Sequence, residues 1–244
     1  MADVIGRRYS GNLAYVDRGA HLKRFISAIG PDVIQYVEDF VDGPAADTDF
    51  DNRWTVTRVE AGSGESTVTR TDEAGGALLI TTDDAENDGI NMQLLGESFK
   101  LSSSSVNFYF GIRAKMSEAT QSDFFFGLAI TDTDVLGGVT DSIGFEKVDG
   151  STAVKFDVNK NSTLTQTGTL STLETTLYHI YEFAYINGTL EVFIDGASVA
   201  TPAVTNLPDD EELRVTLQLL AGSAAARTCK VDWIRAIQIG GRAS

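Results

Sequence analysis

From Val33 onward the sequence holds no helical period. It advances in short runs of β-branched and aromatic residues, broken by Gly, Asp, Asn or Ser about every eight to twelve positions. A chain written this way buries its apolar residues by pairing strands. In the run 106–116, Val106, Phe108, Phe110, Ile112, Ala114 and Met116 share one face, while Asn107, Tyr109, Arg113 and Lys115 share the other. One face of that strand is expected to be buried. The next run, 123–131, alternates Phe124, Phe126, Leu128 and Ile130 with Phe125, Gly127 and Ala129, so both of its faces are expected to be covered. Asn187-Gly188 joins 178–186 to 189–194, and Asp195-Gly196 joins that run to 197–200; both dipeptides accept the positive φ angles of tight hairpin turns, which predicts a meander. Further strands are expected at 54–60, 66–70, 77–82, 89–95, 142–148, 153–159, 162–168, 213–220 and 230–239. So many strands, with no internal repeat and no long linker, predict two packed antiparallel sheets spanning 33–244 as one domain. The length of 244 residues suits that reading, since β-sandwiches often reach about 200–250 residues as a single unit.

Residues 1–32 read differently. The first sixteen show no sustained period and predict an extended arm. Leu22, Phe25, Ile26 and Ile29 then fall at helical spacing before Gly30-Pro31, which predicts one short amphipathic helix that needs something to pack against. Residues 1–30 carry five bases, Arg7, Arg8, Arg18, Lys23 and Arg24, against Asp3 and Asp17; this net +3 leaves −19 on the remainder of a chain whose total is −16. So acidic a body repels phosphate backbones and anionic lipid surfaces, and neither nucleic acid nor membrane is expected as a partner. The longest apolar run, 124–130, is far short of the roughly 18 residues that span a bilayer. The N-terminus lacks the apolar core of a secretory signal, so export is not expected. Cys229 is the single cysteine, which excludes an intramolecular disulfide and a thiolate zinc site.

The C-terminal third reads Tyr178-His179-Ile180-Tyr181-Glu182-Phe183, then Thr189-Leu190-Glu191-Val192-Phe193-Ile194-Asp195-Gly196, and finally Lys230-Val231-Asp232-Trp233-Ile234-Arg235. This hairpin and closing strand resemble the concanavalin A-like jelly roll of legume lectins, laminin-G-like modules and laminarinase-type glucanases. The resemblance implies an all-β, two-sheet antiparallel jelly-roll sandwich. With an N-terminal arm added, the organisation also resembles capsid decoration or cement proteins and head fibres of tailed bacteriophages.

Laminarinase-type enzymes carry their carboxylates on one strand as E-x-D-x-x-E, and this string is absent. In 141–149, Asp141 and Glu146 are five apart and fall on opposite faces; Glu191 and Asp195 share parity, but Asp195 belongs to a turn. His21 and His179 lack a recognisable nucleophile, and Cys229 reads as a small buried hydrophobe. Asp84, Glu86 and Asp88, like Asp47, Asp49 and Asp51, begin as calcium loops do, yet Leu95 and Arg58 stand where the closing glutamate belongs. No catalytic residue, metal or cofactor is expected.

The expectation is therefore a non-enzymatic virion structural protein, made in the host cytoplasm and displayed on the capsid surface. Arg7, Arg8, Tyr9, Tyr15, Leu22, Phe25 and Ile26 would attach it to the major capsid protein and to neighbouring copies in a homo-oligomer. The alternative is a carbohydrate-binding module using the concave sheet, with Tyr109, Trp54 or Tyr185 stacking on sugar rings.

Overall fold

The computed structural model describes residues 32–41, 50, 52–60, 64–102 and 106–241, together with the backbone of Arg7–Arg8 and Ala14–Tyr15. Those two pairs, β1 (Arg7–Arg8) and β2 (Ala14–Tyr15), form a small antiparallel ladder. The sandwich follows as β3 (Val33–Glu38), β4 (Trp54–Val59), β5 (Thr67–Thr71), β6 (Ala77–Thr81), β7 (Gly89–Leu94), β8 (Asn107–Met116) and β9 (Ser122–Ala129). It continues with β10 (Ser142–Lys147), β11 (Ala153–Lys160), β12 (Thr163–Gln166), β13 (Ser171–Thr172) and β14 (His179–Ile186). The last strands are β15 (Thr189–Ile194), β16 (Ala197–Ala200), β17 (Arg214–Ala221) and β18 (Thr228–Ile239). No helix among the described residues is long and apolar enough to cross a membrane. The helix expected around Leu22, Phe25 and Ile26 lies outside the described residues, as does Tyr9.

Two antiparallel sheets result. The first runs β12-β11-β10-β9-β17-β7-β4, with β13 also on β11; the second runs β16-β15-β14-β8-β18-β6-β5, with β3 also on β18. Consecutive hairpins β9–β12 and β14–β16 are joined in each sheet to strands from distant parts of the chain, β17, β7 and β4 in the first and β8, β18 and β6 in the second. The hairpin expectations hold: Asn187, Gly188, Asp195 and Gly196 all have positive φ. Asn161 and Ser162 adopt positive φ between β11 and β12 and make a third tight turn, which their identities did not announce.

Alternation decides which side chains meet between the sheets. Phe124, Phe126 and Leu128 of β9, Phe145 of β10 and Phe156 of β11 point inward from the first sheet and meet Phe108, Phe110, Tyr181 and Phe183 of the second. Phe183 stacks on Phe110 at 5.3 Å between ring centres and meets Phe156 of the opposite sheet edge-on at 5.2 Å. Tyr181 approaches Phe145 across the same gap at 5.3 Å. Edge-on and offset geometries of this kind add to the area-driven burial of the rings. Truncating Phe183→Ala should lower unfolding stability by about 3–5 kcal/mol in urea denaturation. A loss no greater than that of an exposed substitution would show that these rings do not hold the sheets together.

Candidate functional site

The outer face of the first sheet carries the polar residues that the inner alternation leaves over. Asp123, Phe125, Gly127 and Ala129 face outward on β9, Ser142, Gly144 and Glu146 on β10, and Lys155, Asp157 and Asn159 on β11, while Thr216 and Gln218 continue on β17 and Asn91 and Gln93 on β7. At the centre Gly127 and Gly144 stand opposite each other. A Cβ on Gly127 would lie 2.2 Å from the Ile143 carbonyl oxygen, and one on Gly144 would lie 2.5 Å from that of Phe126. Only glycine fits at either position. The Phe125 ring occupies the space above Gly144, coming within 2.9 Å of where that Cβ would be.

Part of this face is covered by residues 130–140, the connection from β9 to β10, which includes a short 3-10 turn, Val135–Gly137. Val135 and Val139 pack on Phe125 and Ala129. Gln93 donates to the Ile130 carbonyl at 2.8 Å and accepts from the Asp132 amide at 2.9 Å, while Asn91 donates to the Asp132 carbonyl at 2.8 Å. Gln218 donates to the Asp134 carboxylate at 2.6 Å and accepts from the Leu136 amide at 2.8 Å. Asn159 donates to the Val139 carbonyl at 2.8 Å.

The remaining part of the face, over β10–β12, holds a pair of carboxyls. Asp157 sits opposite Gly144 and meets Glu146 diagonally across β10 and β11. Asp157 is buried, at 3% exposure, and its Oδ1 has no hydrogen-bond partner. Burial, reinforced by hydrogen bonding to Glu146 and by its like charge, pushes the Asp157 carboxyl up to about 8. Gln166 donates to Glu146 at 3.2 Å and accepts from Lys155 at 2.8 Å. On the other side of Glu146, burial pushes Asp123 up to about 6, while the Asp149 amide donates to its carboxylate and lowers it in part. The buried Lys147 ammonium binds the Thr120 carbonyl at 2.8 Å and that of Ser122. Asp157, Glu146 and Asp123 thus form a diagonal of three carboxyls across β11, β10 and β9.

Other residues singled out in the sequence lie elsewhere. Asp141 accepts from the Asn161 amide at 2.9 Å and closes the β11–β12 turn. Asp195 accepts from the Ile180 amide and from His179, which also meets Glu174; these are structural contacts. Cys229 is fully buried, and burial pushes its thiol up. The proposed stacking aromatics are not on this face: Trp54 and Tyr185 lie in the inter-sheet core, and Tyr109 is buried on the outer face of the second sheet, where it donates to Glu182 at 2.6 Å. Asp47, Asp49 and Asp51 lie outside the described residues. Asp88 instead joins Glu60 and Asp83, whose carboxylate oxygens all lie within 4.8 Å of one another, a donor set of the kind that suits a hard divalent cation. Of the attachment set, only the backbone of Arg7, Arg8 and Tyr15 is described. Arg7 pairs with Tyr15 and Arg8 with Ala14 along the backbone, and the others lie outside the description.

No family model matches this chain, and no curated protein matches it. Solved structures do. An endo-1,3-beta-glucanase from Streptomyces sioyaensis matches with a TM-score of 0.61 and 15% identity, over 88% of this chain and 99% of the other. A glycoside hydrolase family 16 protein of a mixed-linkage glucan locus in Bacteroides ovatus matches with a TM-score of 0.60 and 13% identity, over 82% and 98%. A β-glucanase from Bacillus licheniformis matches with a TM-score of 0.56 and 14% identity, over 85% and 98%. The concanavalin A-like jelly roll is therefore the fold of this chain.

The expectation of a protein without enzymatic function is overturned by these neighbours, which are glucan-cleaving enzymes. That expectation rested in part on a search along one strand, whereas the carboxyl pair here is split between β10 and β11. Asp157 was missed because its partner comes from another strand. A signal was present in Gly127 and Gly144, two glycines inside apolar strands, which mark a close backbone approach.

Asp157 and Asp123 hold protons in the folded chain at pH values where the unfolded chain has released them. Stability should therefore fall as pH rises from the ordinary carboxylate range to about 8, and Asp157→Asn should flatten that slope. Carboxyl NMR titration should place the Asp157 midpoint near 8, and lower in Glu146→Gln, though still above an exposed aspartate. A midpoint in the ordinary range would remove the paired-carboxyl assignment.

Proposed function

We propose that this chain binds a β-glucan-type polysaccharide on the outer face of its first sheet, over the Asp157–Glu146 pair. The observation that carries this reading is Asp157 itself. It is a buried carboxyl with an unpartnered oxygen, placed on a sheet face lined by Glu146, Lys155 and Gln166. Sugar hydroxyls are donors and acceptors at once, so a mixed set of this kind can pair with several of them. The glucanases that share the fold support the choice of ligand class. A capsid-decorating role would rest on the basic stretch 1–30 and the charge split alone, whereas the carbohydrate reading has a built face behind it.

A second reading, glycosidic cleavage, is favoured by the raised Asp157 carboxyl. At neutral pH it retains a proton that it can give to a leaving oxygen, and Glu146, which hydrogen-bonds it here, would serve as the second carboxyl only after swinging away to the separation of about 5 Å that such chemistry needs. Affinity electrophoresis on linear β-1,3-glucan and on mixed-linkage β-glucan tests binding, and release of reducing sugar tests cleavage. Binding is expected for the native chain. Where cleavage is seen, Asp157→Asn and Glu146→Gln should each cut its rate by about 10²–10⁴-fold while leaving the fold intact by circular dichroism. A chain that migrates unretarded through both glucans would defeat the proposal.

A further inference from the structure

Resting on that glycan reading, we propose that residues 130–140 wall off the site, so that the protein engages the ends of polysaccharide chains rather than their interiors. Hydrogen bonds from four sheet side chains trace the course of the wall. It stands over β7 at Asn91 and Gln93, crosses β17 at Gln218, seals onto β9 where Val135 and Val139 meet Phe125, and reaches β11 at Asn159. Its last residue, Thr140, accepts from the Ser162 amide at 2.8 Å, which carries the wall to the β11–β12 turn. A ligand over Asp157 and Glu146 therefore meets protein on two sides: toward β9, and toward the ends of β10 and β11 marked by Ser142 and Asn159. The face stays open toward β12, where Gln166 is exposed, and toward Asp149. A straight polymer laid across the strands from the β12 edge runs into the wall after passing the carboxyl pair.

The wall is also fixed in place. Gln93 and Gln218 each both donate to it and accept from it, and Asn91, Gln93 and Gln218 are all but fully buried. Lifting the segment would break these bonds together and expose the contact of Val135 and Val139 with Phe125 to water. Asp134 adds a further tie, since the carboxylate oxygen that accepts from Gln218 also accepts from the Gly137 amide at 3.1 Å and holds the 3-10 turn in shape. Such a segment acts as part of the binding surface.

The test uses linear β-1,3-glucan and mixed-linkage β-glucan, each at full length and after trimming to short chains, presented at equal mass. End engagement predicts that the protein bound at saturation rises by the same factor as the number of chain ends. Capacity that follows glucan mass and ignores chain length would overturn the wall proposal while leaving the glycan reading standing. No binding at either length would overturn the glycan reading, and the wall proposal with it. A variant in which residues 132–138 are replaced by a short Gly-Ser link should bind in proportion to mass. If that variant folds, as judged by a cooperative melt, and still counts ends, the wall is not the cause. If it fails to fold, the comparison of chain lengths on the native protein decides alone.

Discussion

A buried amide must be paired, and the outer face of the first sheet is organised around that requirement. Asn91, Gln93 and Gln218 occupy outward positions on β7 and β17, where a sheet open to water would hydrate them. Here they are buried under a segment of the same chain and bonded to its backbone and to Asp134. The covering segment is held because those side chains give its backbone partners, and Gln93 and Gln218 can be buried because the segment pairs both ends of each amide, while Asn91 has its donor paired and its Oδ1 without a partner. Neither half is stable without the other. The apolar contact of Val135 and Val139 with Phe125 seals the arrangement and excludes water from the amides. The functional geometry of the face follows from this mutual dependence: one part is roofed, and the carboxyl pair is left at the edge of the roof.

The electrostatics of the open part follow from the same packing. Asp157 is buried on β11 directly across from Gly144, whose face is covered by the Phe125 ring, and beside Glu146 one outward position further along β10. Desolvation then favours the neutral acid, and the nearby carboxyl reinforces it. Asp123 responds in the same direction, though less, because the Asp149 amide bonds its charged form. The raised carboxyls thus share one cause, burial on a tightly packed sheet face whose centre is filled by the Phe125 ring over Gly144. Buried acids of this kind detract from folding stability at neutral pH, where threonine or valine at the same outward positions would not.

Much of the fold was legible because a sandwich leaves its period in the sequence. The alternation of Val106 through Met116, the doubly apolar run at Phe124–Phe126 and the Asn-Gly and Asp-Gly turns each report a local constraint, and each was met. The site was less legible because it is not local. Asp157 acquires its character from burial and from Glu146 on another strand, and Gln218 lies 84 positions from the Asp134 it binds. A motif search along one strand cannot see a pair that forms only when strands align. Trp54 and Tyr185 were misread for a related reason: aromatic type says that a ring will be covered, but only the sheet register says whether sugar or protein covers it.

The charge of the chain narrows the kind of polymer that fits. Glu146 and Asp149 border the open face beside Asp157, which keeps its proton at neutral pH, and the chain as a whole carries −16. A polysaccharide bearing uronate or sulfate groups would meet like charge on approach and would have to be desolvated against it, at a cost that rises as the local dielectric falls. A neutral glucan faces no such barrier. Its hydroxyls can donate to the Asp157 and Glu146 oxygens and accept from Lys155 and Gln166, so the acidity that repels nucleic acid and anionic surfaces leaves this ligand class unopposed. The same acids that bar a charged polymer become acceptors for an uncharged one.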